Sequence, residues 1–447
     1  MAAARVVIVG AGFAGYHAAR RLTKGRGTRG RAAPATEDVE VVLINPTDFF
    51  LYLPMLPEVS AGVVDPRHVA VSLAATLPSV RCILGNVDHV DVEGRTVSWT
   101  DVEGRRGQLG YDRLVLAAGG VNKLLPIPGV AENAHGFRGL PEALYLRDHL
   151  VRQLELAAST DDEAERTARC TFVVVGAGYT GTEVAAHCSA LTHELATLRP
   201  ELRAQPLRWI LLDVASRVLP ELDERLSRAA HEVLRARNVE VRMEESVEES
   251  TSEGVRLTGG EFVPTRSLIW CVGVRADPLI EDIDLPSENG RLTVDPYLNP
   301  PGHPEVFACG DAAAVPDLTR RGEPTAMTAQ HAVRQGKLAA RNVAASLGQG
   351  RRRRYRHRDL GFVVDLGAGK ATANPLHIPL SGFAARVVTR GYHLAAMPTN
   401  RIRIVTDWVL GALLKRQSVQ LGLVRGSEVP LDTSAPETPT SPRQTDH

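Results

Sequence analysis

Two glycine-rich turns of one design, GAGFAG at Gly10–Gly15 and GAGYTG at Gly176–Gly181, lie 166 residues apart in the chain. Each follows an apolar run of β type, Val6–Val9 and Phe172–Val175, and opens a stretch with helical periodicity. A GxGxxG in that setting brings the N–H groups of a helix N-terminus against a pyrophosphate, the glycines supplying the tight turn and the close approach. Gly10, Gly12 and Gly15, with Phe13 and Ala14, are therefore the expected cradle of one dinucleotide. Gly176, Gly178 and Gly181, with Tyr179 and Thr180, are that of another. One such turn carries little weight; two suggest two dinucleotides on one chain, the arrangement an enzyme needs to pass electrons from a nicotinamide to a flavin.

In such units the strand after the first helix ends in an acid that binds ribose hydroxyls. In the first unit that place belongs to Asn45, after the run Val39–Ile44. An amide both donates and accepts, so it still suits a hydroxyl. The second unit keeps the acid: the run Trp209–Leu212 ends in Asp213, whose carboxylate accepts from a 2′,3′-diol and repels a 2′-phosphate. NADH is therefore expected over NADPH, with Arg217 four residues on tempering the preference. A turn or helix cap is the blander role for Asp213. Glu183 follows Gly181 by two residues. Its carboxylate either faces the nicotinamide side of the pocket or complements the helix dipole, an effect of about 0.3–1 kcal/mol, and the spacing leaves both open.

The pattern of elements predicts an α/β chain with one Rossmann-like unit inserted into another. A βαβ start (strand Val6–Val9, helix Ala14–Leu22, strand Val39–Ile44) contains a Gly-, Arg- and Pro-rich surface loop over Lys24–Asp38. Phe49–Gly62 is apolar but broken by Pro54 and Pro57, which excludes one regular helix and suggests a loop lining a pocket. A meander is expected from Val80–Leu84, Val87–Val92 and Thr96–Thr100, then a buried strand in Tyr111–Gly120 and a helix over Leu140–Ala158. The acidic stretch after Ser159 is the expected crossing between domains. The second unit closes near Trp270–Gly273; the chain then returns to a single strand and loop at Glu305–Val315 and a helix over Met327–Leu347. The corresponding boundaries are 1–155, 156–275 and 276–348, then a C-terminal portion 349–425 and a Pro-, Thr- and Ser-rich tail 426–447 expected to be disordered.

Composition removes several classes of function. A chain of 447 residues can bury two or three cores, and a formal net charge of zero favours no nucleic-acid partner. Cys82, Cys170, Cys188, Cys271 and Cys309 form no CxxC or CxxxxC pair and read as buried thiols in a reducing compartment. A disulfide reductase, which needs two adjacent sulfurs, is therefore disfavoured. No metal site is assigned. The first apolar run is already a strand, so no secretory leader is expected, and no stretch approaches the roughly 20 apolar residues of a membrane span.

GAGFAG, FFLYLPMLPEVSAG, YDRLVLAAGG, GAGYTGTEVA, TRSLIWCVGVRADPL, EVFACGDAA and AQHAVRQGKLAARN occur in that order from about Val6 to Leu421. In this the chain resembles the two-dinucleotide-binding-domain flavoproteins, and among them the type II NADH dehydrogenases, which are non-pumping NADH:quinone oxidoreductases. The resemblance implies FAD on 1–155 and 276–348, and NADH on 156–275. It places Gly310 and Asp311 at the ribityl or phosphate end of FAD, and Ala118, Gly119 and Gly273 in cofactor contact. It sets Gln330 and Gln335 along a quinone tunnel, Glu183 between nicotinamide and quinone as a proton relay, and Lys370 near the quinone head group. Asn45, the AAGG at Ala117–Gly120 and the enlarged loop over Lys24–Asp38 depart from the family pattern.

The C-terminus bears on where such an enzyme works. Ile404, Val405, Trp408, Val409, Ala412 and Leu413 recur with helical spacing between Arg401, Arg403, Lys415 and Arg416. A basic amphipathic helix of this kind can lie in a bilayer interface, pack on the enzyme body or form a homodimer. The resemblance favours peripheral attachment at the cytoplasmic side of the membrane, with the Arg351–Arg358 run read as a solvated loop. The competing expectations are a soluble NAD(P)H-dependent flavoprotein reductase serving ferredoxin or rubredoxin, and a dinucleotide sensor without turnover.

Overall fold

The computed structural model describes residues 3–24, 39–320, 322–357, 360–367, 369–417 and 419–431. The expected surface loop between Lys24 and Asp38 lies outside the described residues save for Lys24 itself. The chain opens with β1 (Ala4–Val9), α1 (Phe13–Leu22), β2 (Val39–Asn45), the short α2 (Leu56–Ser60), β3 (Arg81–Leu84) and β4 (Arg113–Leu116). A second set follows: β5 (Ala134–Gly136), α3 (Leu140–Ser159), β6 (Thr171–Val175), α4 (Tyr179–Ala196), β7 (Arg208–Asp213), β8 (Val239–Met243) and β9 (Leu268–Trp270). The last set is β10 (Val306–Ala308), α5 (Ala329–Ser346), the hairpin β11 (Val363–Asp365) and β12 (Ala371–Ala373), α6 (Gly382–Ala396) and α7 (Arg401–Leu413).

Two all-parallel sheets result, in the orders β10-β4-β1-β2-β3 and β5-β9-β6-β7-β8. Strands such as TFVVV are buried along their whole length, as helices on both faces of a parallel sheet require. β10 joins the first sheet after the second is complete, so one unit is inserted in the other. The chain passes between them through Gly120–Asn122 and Val274–Ala276, which pair antiparallel. In the first unit α5 lies against α1: a Cβ on Gly336 would overlap the Ala14 carbonyl. That contact brings the CGDAA turn up to the first glycine turn.

Several expectations are corrected. The second sheet takes its edge strand from Ala134–Gly136, well ahead of residue 156, because Leu268–Trp270 pairs with it in register. The acidic stretch is a helix, Glu163–Arg169, capped by Asp162, whose carboxylate accepts from the N–H groups of Ala164 and Glu165. Residues 81–84 extend the parallel sheet beside β2; the meander is Asn86–Asp91, Thr96–Thr100 and Arg106–Gly110. Phe49–Gly62 is not a plain loop: the two prolines divide it into a strand at Phe49–Leu51, a 3-10 turn at Leu53–Met55 and α2. Cys82 is exposed, not buried. Residues 426–431, expected to belong to the disordered tail, are docked instead: Leu431 is buried in the core of the second unit and its carbonyl accepts from Asn122 Nδ2. Residues 432–447 lie outside the described residues.

Candidate active site

The two glycine turns are built alike. Gly10 and Gly176 have φ of +90° and +104°, and a Cβ on either would overlap a carbonyl of the neighbouring strand end, Ala117 or Cys271. A Cβ on Gly15 or Gly181 would overlap the Gly10 or Gly176 carbonyl. Around Gly12 and Gly178 no atom lies within 4 Å of an added Cβ. Two glycines of each turn therefore serve packing, and the middle one faces open space. Gly12 and Gly178 are the N-caps of α1 and α4, and neither helix start has a side-chain cap. Their first-turn N–H groups are left for a ligand anion. This cradle fits a dinucleotide pyrophosphate in both units.

Asn45 and Asp213 occupy equivalent places. Asn45 Oδ1 accepts from Ala11 N at 2.7 Å, and Asp213 Oδ2 accepts from Ala177 N at 2.5 Å. Asn45 Nδ2 is spent on Thr47, at 2.9 Å to its carbonyl and 3.0 Å to its hydroxyl. Toward a ribose the amide thus offers only the remaining Oδ1 lone pair, as an acceptor. Asp213 Oδ1 accepts from Ala215 N at 2.8 Å, which leaves a lone pair on each oxygen for a diol. Arg217 turns aside, its guanidinium donating to the carbonyls of Pro220 and Leu222, both at 2.9 Å.

Gly310, at φ +71°, opens the turn that carries Asp311, and a Cβ there would lie 3.1 Å from the Ala14 methyl. Burial pushes the Asp311 carboxyl up, against the pull of Arg291 and Arg138. Each of these arginines has one buried N–H without a partner among the described residues, Arg291 Nε and Arg138 Nη1, as a bound polar ligand would explain. Gly119 and Gly273, both at positive φ with open space around an added Cβ, lie beside the paired crossing strands, and Ala118 is half-buried next to Gly119.

Glu183 lies in the second turn of α4, past the reach of the helix dipole. Its Oε1 accepts from Asp365 N at 2.9 Å. Burial pushes the Glu183 carboxyl well above its ordinary value; the Asp365 N–H bond opposes this, and the charges of Asp365 and Glu58 add to it. β11 is thus laid across the start of α4, with Phe362 stacked on Tyr179 at 5.4 Å. Gln330 holds the approach to that strand, its Nε2 donating to the Gly361 carbonyl at 2.6 Å.

Gln335 is placed differently from the expectation. Its amide accepts from Gly310 N at 2.8 Å and donates to Thr325 Oγ1 at 2.9 Å, and it is fully buried, so it braces the Asp311 turn. Lys370 is exposed at the β11–β12 tip and does not join the buried group. Glu58, His187 and Asp365 surround Glu183 and were not singled out from sequence. The spacing of Glu183 and His187, four residues apart on one helix, is the signal that could have found His187; no local spacing points to Glu58 or Asp365.

The family model for pyridine nucleotide-disulphide oxidoreductases matches residues 4–336. The type II NADH:quinone oxidoreductase Ndh of Mycobacterium tuberculosis is 30% identical over 92% of this chain and 89% of its own length. The demethylphylloquinone reductase NdbB of Synechocystis is 30% identical over 92% of this chain and 98% of its own. The structure of NDH2 from Plasmodium falciparum in complex with NADH shares the fold, with a TM-score of 0.82 at 17% identity over 93% of this chain and 99% of that one.

Proposed function

Because the chain belongs to the pyridine nucleotide-disulphide oxidoreductases, and among them to the type II NADH:quinone oxidoreductases, we propose that the two open glycine cradles perform an FAD-dependent oxidation of NADH coupled to two-electron reduction of a quinone, without proton pumping. The duplicated cradle carries this reading: two helix starts, each left uncapped behind a glycine facing open space, are what two pyrophosphates require. Bound FAD supplies the hydride acceptor and two-electron carrier; the protein supplies binding, orientation and exclusion of water.

In the first unit Gly12 and the N–H groups of Phe13 and Ala14 hold the FAD pyrophosphate, and Asn45 accepts from a ribose hydroxyl. Asp311, on the turn braced by Gln335, takes the ribityl or phosphate end. In the second unit Gly178 and the N–H groups of Tyr179 and Thr180 hold NADH, and the Asp213 carboxylate takes its diol. The free lone pair on each Asp213 oxygen, and the turning aside of Arg217, support NADH over NADPH. Glu183 holds a proton at its carboxyl for a quinone oxygen, with Gln330 fixing the strand that covers it.

Attachment of the enzyme at the cytoplasmic face of the membrane completes this reading. No helix among the described residues is long and apolar enough to cross a membrane. α7 packs on the body through Ile404 and Trp408 yet leaves Ile402 at 83% and Leu413 at 75% exposure. With Arg401, Arg403 and Lys415 beside it, that outer face suits a bilayer interface; a second copy of the chain is the other occupant to test.

Steady-state turnover on flavin-quantified protein, with NADH and NADPH against quinone, ferredoxin and rubredoxin acceptors, tests the assignment. Rapid NADH oxidation with a soluble quinone is expected. Flavin bleached by NADH but reoxidised only by an iron–sulfur protein would return the enzyme to the soluble-reductase reading.

A further inference from the structure

Beyond the two cradles, ionisable side chains from four elements converge beside Glu183. His187, one turn further along α4, is 3% exposed, and its Nε2 lies 3.6 Å from Asp365 Oδ1. Neither of its ring nitrogens has a hydrogen-bond partner among the described residues. The hairpin turn closes over the ring, so that a Cβ on Gly367 would lie 3.1 Å from Nδ1. Glu58, on α2, is 5% exposed, and both its oxygens accept from Trp408 Nε1 at 3.1 Å. A buried imidazole whose nearest polar neighbour is the Asp365 carboxylate at 3.6 Å, set among three carboxyls, calls for an explanation beyond packing.

Proton balance in the reaction supplies one. NADH, a quinone and one proton give NAD⁺ and quinol, so each turnover draws one proton from water in addition to the transferred hydride. We propose that His187 and Glu58 form a relay that returns this proton to Glu183 after Glu183 has passed its own to the quinone. The relay rests on the reading of a quinone as acceptor.

In the step, the Glu183 O–H bond breaks as a quinone O–H bond forms. The His187 imidazole takes a proton from Glu58 and gives one to the resulting carboxylate. Glu58 is then reprotonated from water, and no charge is left in the site. Asp365 is the fixed anion that holds the imidazole: burial pushes it up, but His187, Gly367 N and Arg390 outweigh this and keep it at about 2. Burial, then Asp365, raise Glu58 to about 7 against His187, Trp408 and Arg390. It therefore carries a proton and exchanges it near neutrality. The other groups facing the relay are Arg237, whose guanidinium donates to the Gly367 carbonyl beside the His187 ring, Cys188 on α4, hydrogen-bonded to Ser60 at 3.5 Å, and Arg390 and His393 on α6. His393 is paired with the Tyr52 hydroxyl at 3.1 Å and held at about 4 by burial.

The test uses the flavin-loaded full chain at saturating NADH, with a short-chain ubiquinone analogue and with ferricyanide, an electron acceptor that takes up no proton. Turnover is followed from about pH 5.5 to about pH 8.5, across the Glu58 transition. Wild-type quinone turnover should fall above about pH 7 as Glu58 loses its proton. Glu58→Gln and His187→Gln should each lower it about tenfold or more and flatten that fall, while ferricyanide turnover stays within about twofold. Glu58→Asp, which can still carry a proton, should recover part of the rate. Wild-type rates and pH profiles in both variants, or equal losses with the two acceptors, overturn the relay. A wild type that reduces ferricyanide but no quinone overturns the acceptor assignment instead, and does so before any variant is compared.

Discussion

The middle glycine of each turn does something its neighbours do not. Gly15 allows the helix to start against the Gly10 carbonyl, so Gly15→Ala should overpack the turn and destabilise the fold by about 1–3 kcal/mol. Gly12 has ordinary extended φ of −66° and nothing near an added Cβ. Gly12→Ala should therefore keep the melting temperature of the flavin-free protein within a degree or two of wild type while weakening FAD binding about tenfold or more, because the methyl group stands where the pyrophosphate must come. Gly178→Ala should retain flavin and raise KM for NADH. Flavin titration beside thermal unfolding checks this; a flavin-replete Gly12→Ala enzyme with normal affinity would falsify the cradle. Spacing alone could not separate the two kinds of glycine, since the difference lies in what surrounds them.

Among the elements, α7 shows how a single apolar stripe is divided by its neighbours. Ile404 and Trp408 face the body, and Val405 and Val409 face out at 41% and 50% exposure. Trp408 donates to Glu58 and lies under the Arg390 guanidinium at 4.3 Å, while Asp407 Oδ2 pairs with His68 Nδ1 at 2.6 Å. Trp408→Ala should loosen this helix by about 3 kcal/mol or more, seen as faster amide exchange over residues 401–413 with the parallel sheets unchanged. The paired substitution Val405→Ser and Val409→Ser should leave exchange unaltered and lower co-flotation with anionic vesicles. Vesicle binding that survives that change would assign the outer face to a second copy or to no partner. The periodicity of this segment identified a helix, yet whether its apolar side meets protein or something else was decided by α2 and α6.

For the whole molecule, the buried acids beside Glu183 couple stability to pH. Glu58 has an ordinary value of 4.5 and a folded value of about 7. Below the lower value it is protonated whether the chain is folded or not, and its contribution is nil. As pH rises from there the unfolded chain ionises first, and stability falls until about pH 7, by a total of up to about 3 kcal/mol. Glu183 acts in the same direction. Asp365 acts oppositely: its stabilisation is present above the ordinary 3.8 and is lost as pH falls towards about 2. Glu58→Gln should consequently gain several degrees in melting temperature relative to wild type on going from pH 5 to pH 8. Parallel melting curves for the two proteins across that range would remove Glu58 as the cause.

The two dinucleotide units, their strands, and the places of Asn45 and Asp213 were legible because they depend on local order: apolar runs buried on both faces, followed by glycines at fixed offsets. The insertion was legible for the same reason, since a lone strand and helix after a complete unit had no other sheet to join. The crossing at Gly120–Asn122 and Val274–Ala276, the bracing role of Gln335, and the meeting of Glu58, His187 and Asp365 with Glu183 were not. Glu58 and Asp365 are 307 positions apart, and no periodicity records such a distance. Local sequence determined which segments could bind a dinucleotide; only the packing of α2, α4 and the β11 hairpin decided which acids lose their water, and so which of them keep a proton.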